Sequence, residues 1–359
     1  MICLEVRRDD FRQTRLSETP DAALADGAVR LRPQLLAMTS NNVTYAAMGE
    51  GELGYFDFFP APAGWGRPPA WGFAVVEASR ADEVSAGERF YGYYPLATGL
   101  DVLPTRTSAQ GFVDGAPHRA SKAAVYNGYL RTGADPAYVA GRDAEQALFR
   151  PLFATGWWLA DCVWRTAGGP RSIVISSASA KTAIATAHQL RRLGAKRLIA
   201  LTSPRNLQYV ESTRLYDKVV TYPDVAHLEA EPPAVFVDFL GRDDLTEAVH
   251  LALAETLVRS LMVGATQWDA KPGGIQLPRA SLAGAKPEFF FVPSYAAGRL
   301  SQAGPELGRT MRRDLVEFYE ASAAYTAPIK ATGLEAIRDR WATLCDGKAD
   351  PRDGFVIGL

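Results

Sequence analysis

From Ser172 to about Pro293, short unbroken apolar runs alternate with amphipathic stretches, and few architectures accept that pattern. The runs are SIVIS (172–176), RLIALT (197–202), KVVTY (218–222), AVFVDFL (234–240), SLMVGAT (260–266) and EFFFVP (288–293). Helical spacing of apolar residues lies between them at 180–193, 205–214 and 242–257. A strand that is apolar on successive residues must be covered on both faces, and helical crossovers make neighbouring strands parallel. The pattern therefore predicts an α/β fold built on a doubly wound parallel sheet. A last helix of that layer is predicted over 304–326, followed by a tail with one helix, a turn at DPRDG and a short terminal strand.

The first third reads differently. Stretches such as AVRLRPQLLAMTSNNVTYAAMGEG and GWGRPPAWGFAVVEASRADEVSAGERFYGYYPLAT set β-prone runs between glycine and proline, which predicts a mostly β module with irregular loops. From about Asp143, AEQALFRPLFATGWWLADCVWRTAG has helical spacing and stops at Gly168 and Gly169. Trp157, Trp158 and Trp164 on it are read as packing residues.

Composition narrows the partners. Lysine plus arginine (39) nearly cancels aspartate plus glutamate (40), so no net field draws the chain to nucleic acid or to an anionic membrane. No apolar run is long enough to cross a bilayer, and MICLEVRRDDFRQTR turns charged too early for a signal peptide, so a cytoplasmic chain is expected. Cys3, Cys162 and Cys345 are widely spaced and odd in number, which predicts reduced, structural thiols. The expected partner is a small-molecule substrate, with a homodimer left open.

Taken in order along the chain, NNVTYAAMG, GFAVVEASRADEVSAGERFYG, FATGWWLAD and GKADPRDGFVIGL resemble the zinc-independent branch of the medium-chain dehydrogenase/reductase superfamily, the quinone oxidoreductases and enoyl reductases. In this likeness NNVTYAAMG corresponds to a loop after the second N-terminal strand. The resemblance covers nearly the whole chain and implies a Rossmann domain (131–326) beside a β-rich GroES-like catalytic domain (1–130 completed by 327–359), with the active site in the cleft between them. It also implies NADP(H) as cofactor and no metal. A glycine-poor subfamily is indicated, because the branch's G-A-A-G-G-V-G corresponds here to SASAKTA at 177–183.

Ser177, Ala180 and Ala183 thus stand at the three glycine positions. Glycines there permit unusual backbone angles and close approach of a pyrophosphate to amides at the helix start. Serine and alanine are the smallest replacements, and the helix N-terminus keeps its N–H groups and positive dipole end. Ser176, Ser177 and Ser179 add hydroxyls, Lys181 a charge and Thr182 a further hydroxyl. The plainer reading is a serine-rich helix cap. Where the second strand ends, an acidic residue would select NAD(H); the chain has Thr202, Ser203, Pro204, Arg205 and Asn206 instead, a set suited to a 2′-phosphate. Tyr222, Phe239, Leu240, Gly264 and Thr266 end or follow strands on the side where ligands bind in open α/β sheets. Of these, Tyr222, Phe239 and Gly264 join the expected cofactor contacts.

A zinc-dependent dehydrogenase needs cysteine and histidine ligands in its first domain. His118 and Cys3 are the only such residues before residue 150, and His188, His227 and His250 read as packing or surface residues. No nucleophile elbow supports a hydrolase. Tyr45 falls where relatives in this branch place a tyrosine near the nicotinamide, so it is the catalytic candidate as a hydrogen-bond or proton donor; a packing tyrosine is the alternative. Tyr91, Tyr93 and Tyr94 either wall an aromatic pocket or fill core. The function expected is an NADPH-dependent, zinc-free reductase of an activated double bond or a quinone. Its competitor is a non-catalytic binding or sensor protein on the same fold.

Overall fold

The computed structural model describes every residue except Asp21, Glu52 and 264–281. The chain begins with β1 (Ile2–Arg7), β2 (Thr14–Glu18), β3 (Val29–Met38), α1 (Ser40–Ala47), β4 (Trp65–Gly66), β5 (Pro69–Ser79), β6 (Arg89–Pro95), β7 (Leu100–Val102), β8 (Pro104–Ser108), β9 (Gly111–Asp114) and β10 (Gly128–Arg131). It continues through α2 (Asp143–Trp164), β11 (Ser172–Ile175), α3 (Lys181–Arg192), β12 (Leu198–Thr202), α4 (Leu207–Ser212), β13 (Lys218–Thr221), β14 (Ala234–Asp238), α5 (Asp243–Leu253), β15 (Leu257–Met262) and β16 (Pro287–Phe289). The remaining elements are α6 (Val292–Ala303), α7 (Pro305–Ala321), β17 (Ala327–Thr332), α8 (Leu334–Cys345) and β18 (Asp353–Gly358).

Cα packing divides the chain into two compact units, Met1–Arg150 with Ala327–Leu359, and the described residues of Pro151–Thr326. In the first unit, β2, β1 and β4 form one small sheet, and a larger mixed sheet runs β17-β18-β3-β5-β6-β10-β9-β8 with β7 also paired to β3. The close fit of β5 on β3 depends on Gly72, where a Cβ would stand 2.0 Å from the Leu35 carbonyl oxygen.

The second unit carries a parallel sheet in the order β13-β12-β11-β14-β15-β16. Its three central strands are buried on every residue. Alternation splits them between two cores. Ile173, Ile175, Leu198, Ala200, Val235 and Val237 face one layer that includes Leu159 of α2 and Ile184 of α3. Val174, Ile199, Leu201 and Phe236 face the other, with Leu245, Val249 and Leu253 of α5. Against α3, Gly156 of α2 comes so close that a Cβ there would stand 2.8 Å from the Thr186 nitrogen.

The α/β class and a six-stranded parallel sheet are as the sequence predicts, although β15 begins at Leu257, before the predicted 260–266, of which 264–266 lie outside the described residues. Four local features differ. The NNVTYAAMG stretch, expected as a loop, is mostly the helix α1, because Thr39 caps it and the Thr39 amide donates to Asn42 Oδ1 at 2.7 Å. The run EFFFVP stops being strand at Phe289, since Pro293 opens α6. Gly304, at φ 73, separates α6 from α7, so the layer ends in two helices. The exposed strand β17, with little apolar periodicity, has no counterpart among the predicted strands.

Candidate functional site

In the second unit, β11 has neighbours on both sides, β12 and β14, and the strand order reverses there. Ligands of open α/β sheets bind outside the carboxyl ends of the strands at such a point. The segment leaving β11 is the glycine-free turn. Ser177 takes φ 46, a left-handed conformation that a non-glycine residue adopts at a cost of roughly 1–2 kcal/mol. Ser177 thus holds a backbone shape that glycine reaches without that cost. The Ala180 amide donates to the Ser177 carbonyl at 2.8 Å and closes the turn, and Ala180 becomes the N-cap of α3 without a side-chain cap. Lys181 and Thr182 follow as the first, half-buried residues of α3.

Two long-range bonds tie this turn down. The Asn206 side-chain amide donates to Ser179 Oγ at 2.9 Å, which brings the Ser203–Asn206 segment against the turn. Arg205 is exposed on that segment and Ser203 half-buried. On the other side, Ser176 Oγ donates to Asp238 Oδ1 at 2.5 Å and accepts from the amides of Phe239 (2.9 Å) and Leu240 (3.1 Å). The amides of Leu240 and Gly241 also reach Asp238 Oδ1, and Thr246 Oγ1 donates to Oδ2 at 3.1 Å. Burial raises the Asp238 carboxyl above the usual carboxylate range against the opposing pull of these donors.

Tyr222 also reaches the turn. Its hydroxyl lies near Ser177, and burial, then the nearby Asp238 carboxyl, push the phenol up to about 12. The Arg242 guanidinium lies 5.5 Å from the centre of its ring. The Phe239 N–H, close to the turn, is engaged by Ser176 Oγ at 2.9 Å. Gly264 and Thr266 lie outside the described residues. Ser176, Asp238 and Asn206 are the residues whose organising role the sequence conceals.

In the first unit, Tyr45 sits on α1, 5% exposed, inside a cluster of rings. Tyr55 lies 4.6 Å and Tyr93 5.5 Å from it, centre to centre. The Trp71 indole N–H donates to the Tyr45 hydroxyl oxygen at 3.1 Å. Burial pushes the Tyr45 pKa far up, so the phenol stays protonated at any ordinary pH and keeps a proton to donate. Tyr91, Tyr93 and Tyr94 are buried in the strand β6, with Tyr91 stacked on Trp71 and Tyr94 bonded to the Phe90 carbonyl. Tyr126 touches Tyr55, Phe58, Trp71 and Tyr93 and is half-buried. Its backbone is held by Arg119, 1% exposed, which donates to the Tyr126 carbonyl, Asp114, Asn127 and the Tyr129 hydroxyl.

The histidines have the packing or surface settings expected. His250 is buried between the Ala283 carbonyl and the Ser260 hydroxyl, His188 contacts Phe318 and Tyr325, His118 reaches the Phe58 carbonyl and His227 is exposed. All three cysteines are free and buried. Among the described residues no three His, Cys, Asp or Glu side chains group closely enough to hold a metal ion. No helix among them is long and apolar enough to cross a membrane.

A model of the family described as "protein of unknown function (DUF2855)" matches residues 36–350. No curated protein matches the chain. Among solved structures, CurA from Vibrio vulnificus is similar over 96% of this chain and 93% of its own, at 15% identity and a TM-score of 0.65. CurA in complex with NADPH gives 15% identity and 0.64 over 96% of this chain and 94% of that one. The yhdH oxidoreductase from Salmonella enterica in complex with NADP is similar over the full length of both chains, at 14% identity and 0.58. At these identities the likeness is one of fold, a Rossmann-like parallel sheet together with a mixed sheet in the other unit.

Proposed function

The chain belongs to the family described as protein of unknown function (DUF2855), and on the two sites above we propose that it is an NADPH-dependent, zinc-free oxidoreductase that reduces an activated double bond or a quinone. The observation that carries this reading is the turn after β11. Without glycine it still has a left-handed residue at Ser177, an uncapped helix start at Ala180 and the Ser203–Asn206 segment bonded against it. A pyrophosphate fits the amides of Lys181 and Thr182 at the α3 N-terminus, where the helix dipole favours negative charge. Ser203, Arg205 and Lys181 suit the 2′-phosphate, and Tyr222 and the Phe239 carbonyl are further contacts. CurA and the yhdH oxidoreductase, similar in fold, have been solved with NADPH and NADP.

Bound NADPH supplies the hydride. The chain's own contribution is the other half of the two-electron reduction, a proton. Tyr45 fits that role: Trp71 fixes its oxygen, burial keeps it protonated, and its O–H donates to the substrate oxygen as charge develops there. Few other conspicuous catalytic side chains are required, because the hydride chemistry belongs to the cofactor. Three buried free thiols suit a reducing, cytoplasmic compartment.

Fluorescence titration of purified protein with NADPH and NADH tests the reading. NADPH should bind at least about tenfold tighter, equivalent to roughly 1.4 kcal/mol, and Arg205→Ala should remove most of that preference while sparing NADH. Equal affinity for the two sinks the phosphate pocket. Binding of neither transfers the weight to a non-catalytic binding protein.

A further inference from the structure

The left-handed turn has no glycine, so something else must hold it in shape. Ser176 stands immediately before Ser177 and is fully buried, as is Asp238 at 1% exposure. The Ser176 hydroxyl fills its capacity with one donated and two accepted bonds, to Asp238 Oδ1 and from the amides of Phe239 and Leu240. Its backbone amide reaches the Val237 carbonyl at 3.0 Å, so both its backbone and its side chain are fixed to the end of β14. Asp238 in turn gathers Leu240, Gly241 and Thr246. The direction in which the chain leaves β11 is thereby set before residue 177 is reached. Two further bonds, from the Ala178 amide to the Leu201 carbonyl and from the Ala180 amide to the Ser177 carbonyl, then complete a turn with Ser177 at φ 46.

We propose that Ser176 and Asp238 form a latch across the strand-order reversal that does the work of the absent glycines, holding Ser177 left-handed so that the α3 amides face a dinucleotide. Both are positioning residues. The functional half of this inference rests on the reductase reading above; the structural half does not. Glycine would visit this backbone conformation freely, whereas serine must be kept there by its neighbours. The latch therefore makes a specific demand: breaking it should be compensated at residue 177 itself.

The experiment compares Ser176→Ala, Asp238→Ala, Asp238→Asn, Ser177→Gly and the double variant Ser176→Ala/Ser177→Gly. Each is followed by hydrogen exchange of the Ala178 and Ala180 amides, thermal melting and NADPH titration. Ser176→Ala and Asp238→Ala should speed exchange at both amides and weaken NADPH at least tenfold. Adding Ser177→Gly to Ser176→Ala should recover most of the NADPH affinity, an outcome that general loosening of the fold would not give. Asp238→Asn should stay near the parent. Its Oδ1 still accepts from Ser176, its Nδ2 donates to Thr246 Oγ1, and the Thr246 hydroxyl turns to the Arg242 carbonyl it already reaches at 3.1 Å. Unchanged exchange and affinity in Ser176→Ala, or no recovery in the double variant, overturns the proposal. If the parent binds no NADPH, the reductase reading fails, and the exchange rates of Ala178 and Ala180 alone decide the latch. Should Asp238→Ala be unfolded, the Ser176 series carries the same comparison.

Discussion

Replacing Tyr45 with phenylalanine separates the two things its hydroxyl is held to do. The phenyl ring keeps its neighbours, Tyr55 at 4.6 Å and Tyr93 at 5.5 Å, so packing is nearly unchanged. The loss falls on Trp71, whose indole N–H donates to Tyr45 at 3.1 Å and whose side chain is 8% exposed as a residue. Stranding a buried donor costs about 1–3 kcal/mol. With no lost ring volume to add, we expect destabilisation of about 1–2 kcal/mol, read from urea unfolding midpoints. A double-mutant cycle with Trp71→Phe should give a coupling near 1 kcal/mol, since the second change removes the stranded donor. The same Tyr45→Phe protein, assayed by NADPH oxidation with 2-cyclohexenone and with menadione, should lose about 10²–10⁴ in kcat with KM for NADPH unmoved. A cycle closing within about 0.3 kcal/mol would refute the bond. Full turnover in Tyr45→Phe would refute the donor role and return Tyr45 to packing.

Two further outcomes follow from buried ionisable groups. Burial, then the Arg192 charge, hold His188 down to about 4 from an ordinary 6.5, so the unfolded chain binds the extra proton between those values. The His188 contribution to stability is complete above about pH 6.5 and is lost as pH falls toward 4, at up to about 1.4 kcal/mol per pH unit; His188→Gln should flatten melting temperature across that window. Arg119→Met should cost about 3–5 kcal/mol, because it leaves Asp114 without its cation and frees the Tyr126 carbonyl, whereas Asp114→Asn should cost less in the same thermal melts.

What the sequence announced and what it concealed follow from the range of the forces involved. The strands β11, β12 and β14 are legible because burial on both faces makes their runs apolar apart from the terminal Ser172, Thr202 and Asp238, and α3 and α5 because one face of each must be. The helix α1 is hidden, since its start depends on a Thr39 and Asn42 exchange that the usual Glu or Gln signal does not report. The candidate turn is legible from its position after a buried strand, yet its shape is not. Nothing local to Ser177 says that it will take φ 46; that follows from Ser176 reaching Asp238, 62 residues on. The sequence conceals the role of Arg119 for a similar reason. An arginine in a polar loop is ordinarily a surface charge, and only the folded chain brings Asp114, Asn127 and Tyr129 around it.

The place of β18 has a consequence for how the polypeptide is made. This strand lies between β17 and β3, pairing Phe355 with Met38 and Gly358 with Leu35 in the large mixed sheet. A ribosome therefore releases β3 more than three hundred residues before one of its sheet partners emerges, at translation speeds that amount to tens of seconds. Over that interval the apolar residues of β3 face the cell without the strand that closes them on that side. The parallel sheet, encoded without interruption between its first and last strands, has all its partners in hand earlier. The order of completion is thus the reverse of the order in which the two units begin, and the stretch of β3 around Leu36 waits longest for its sheet partner.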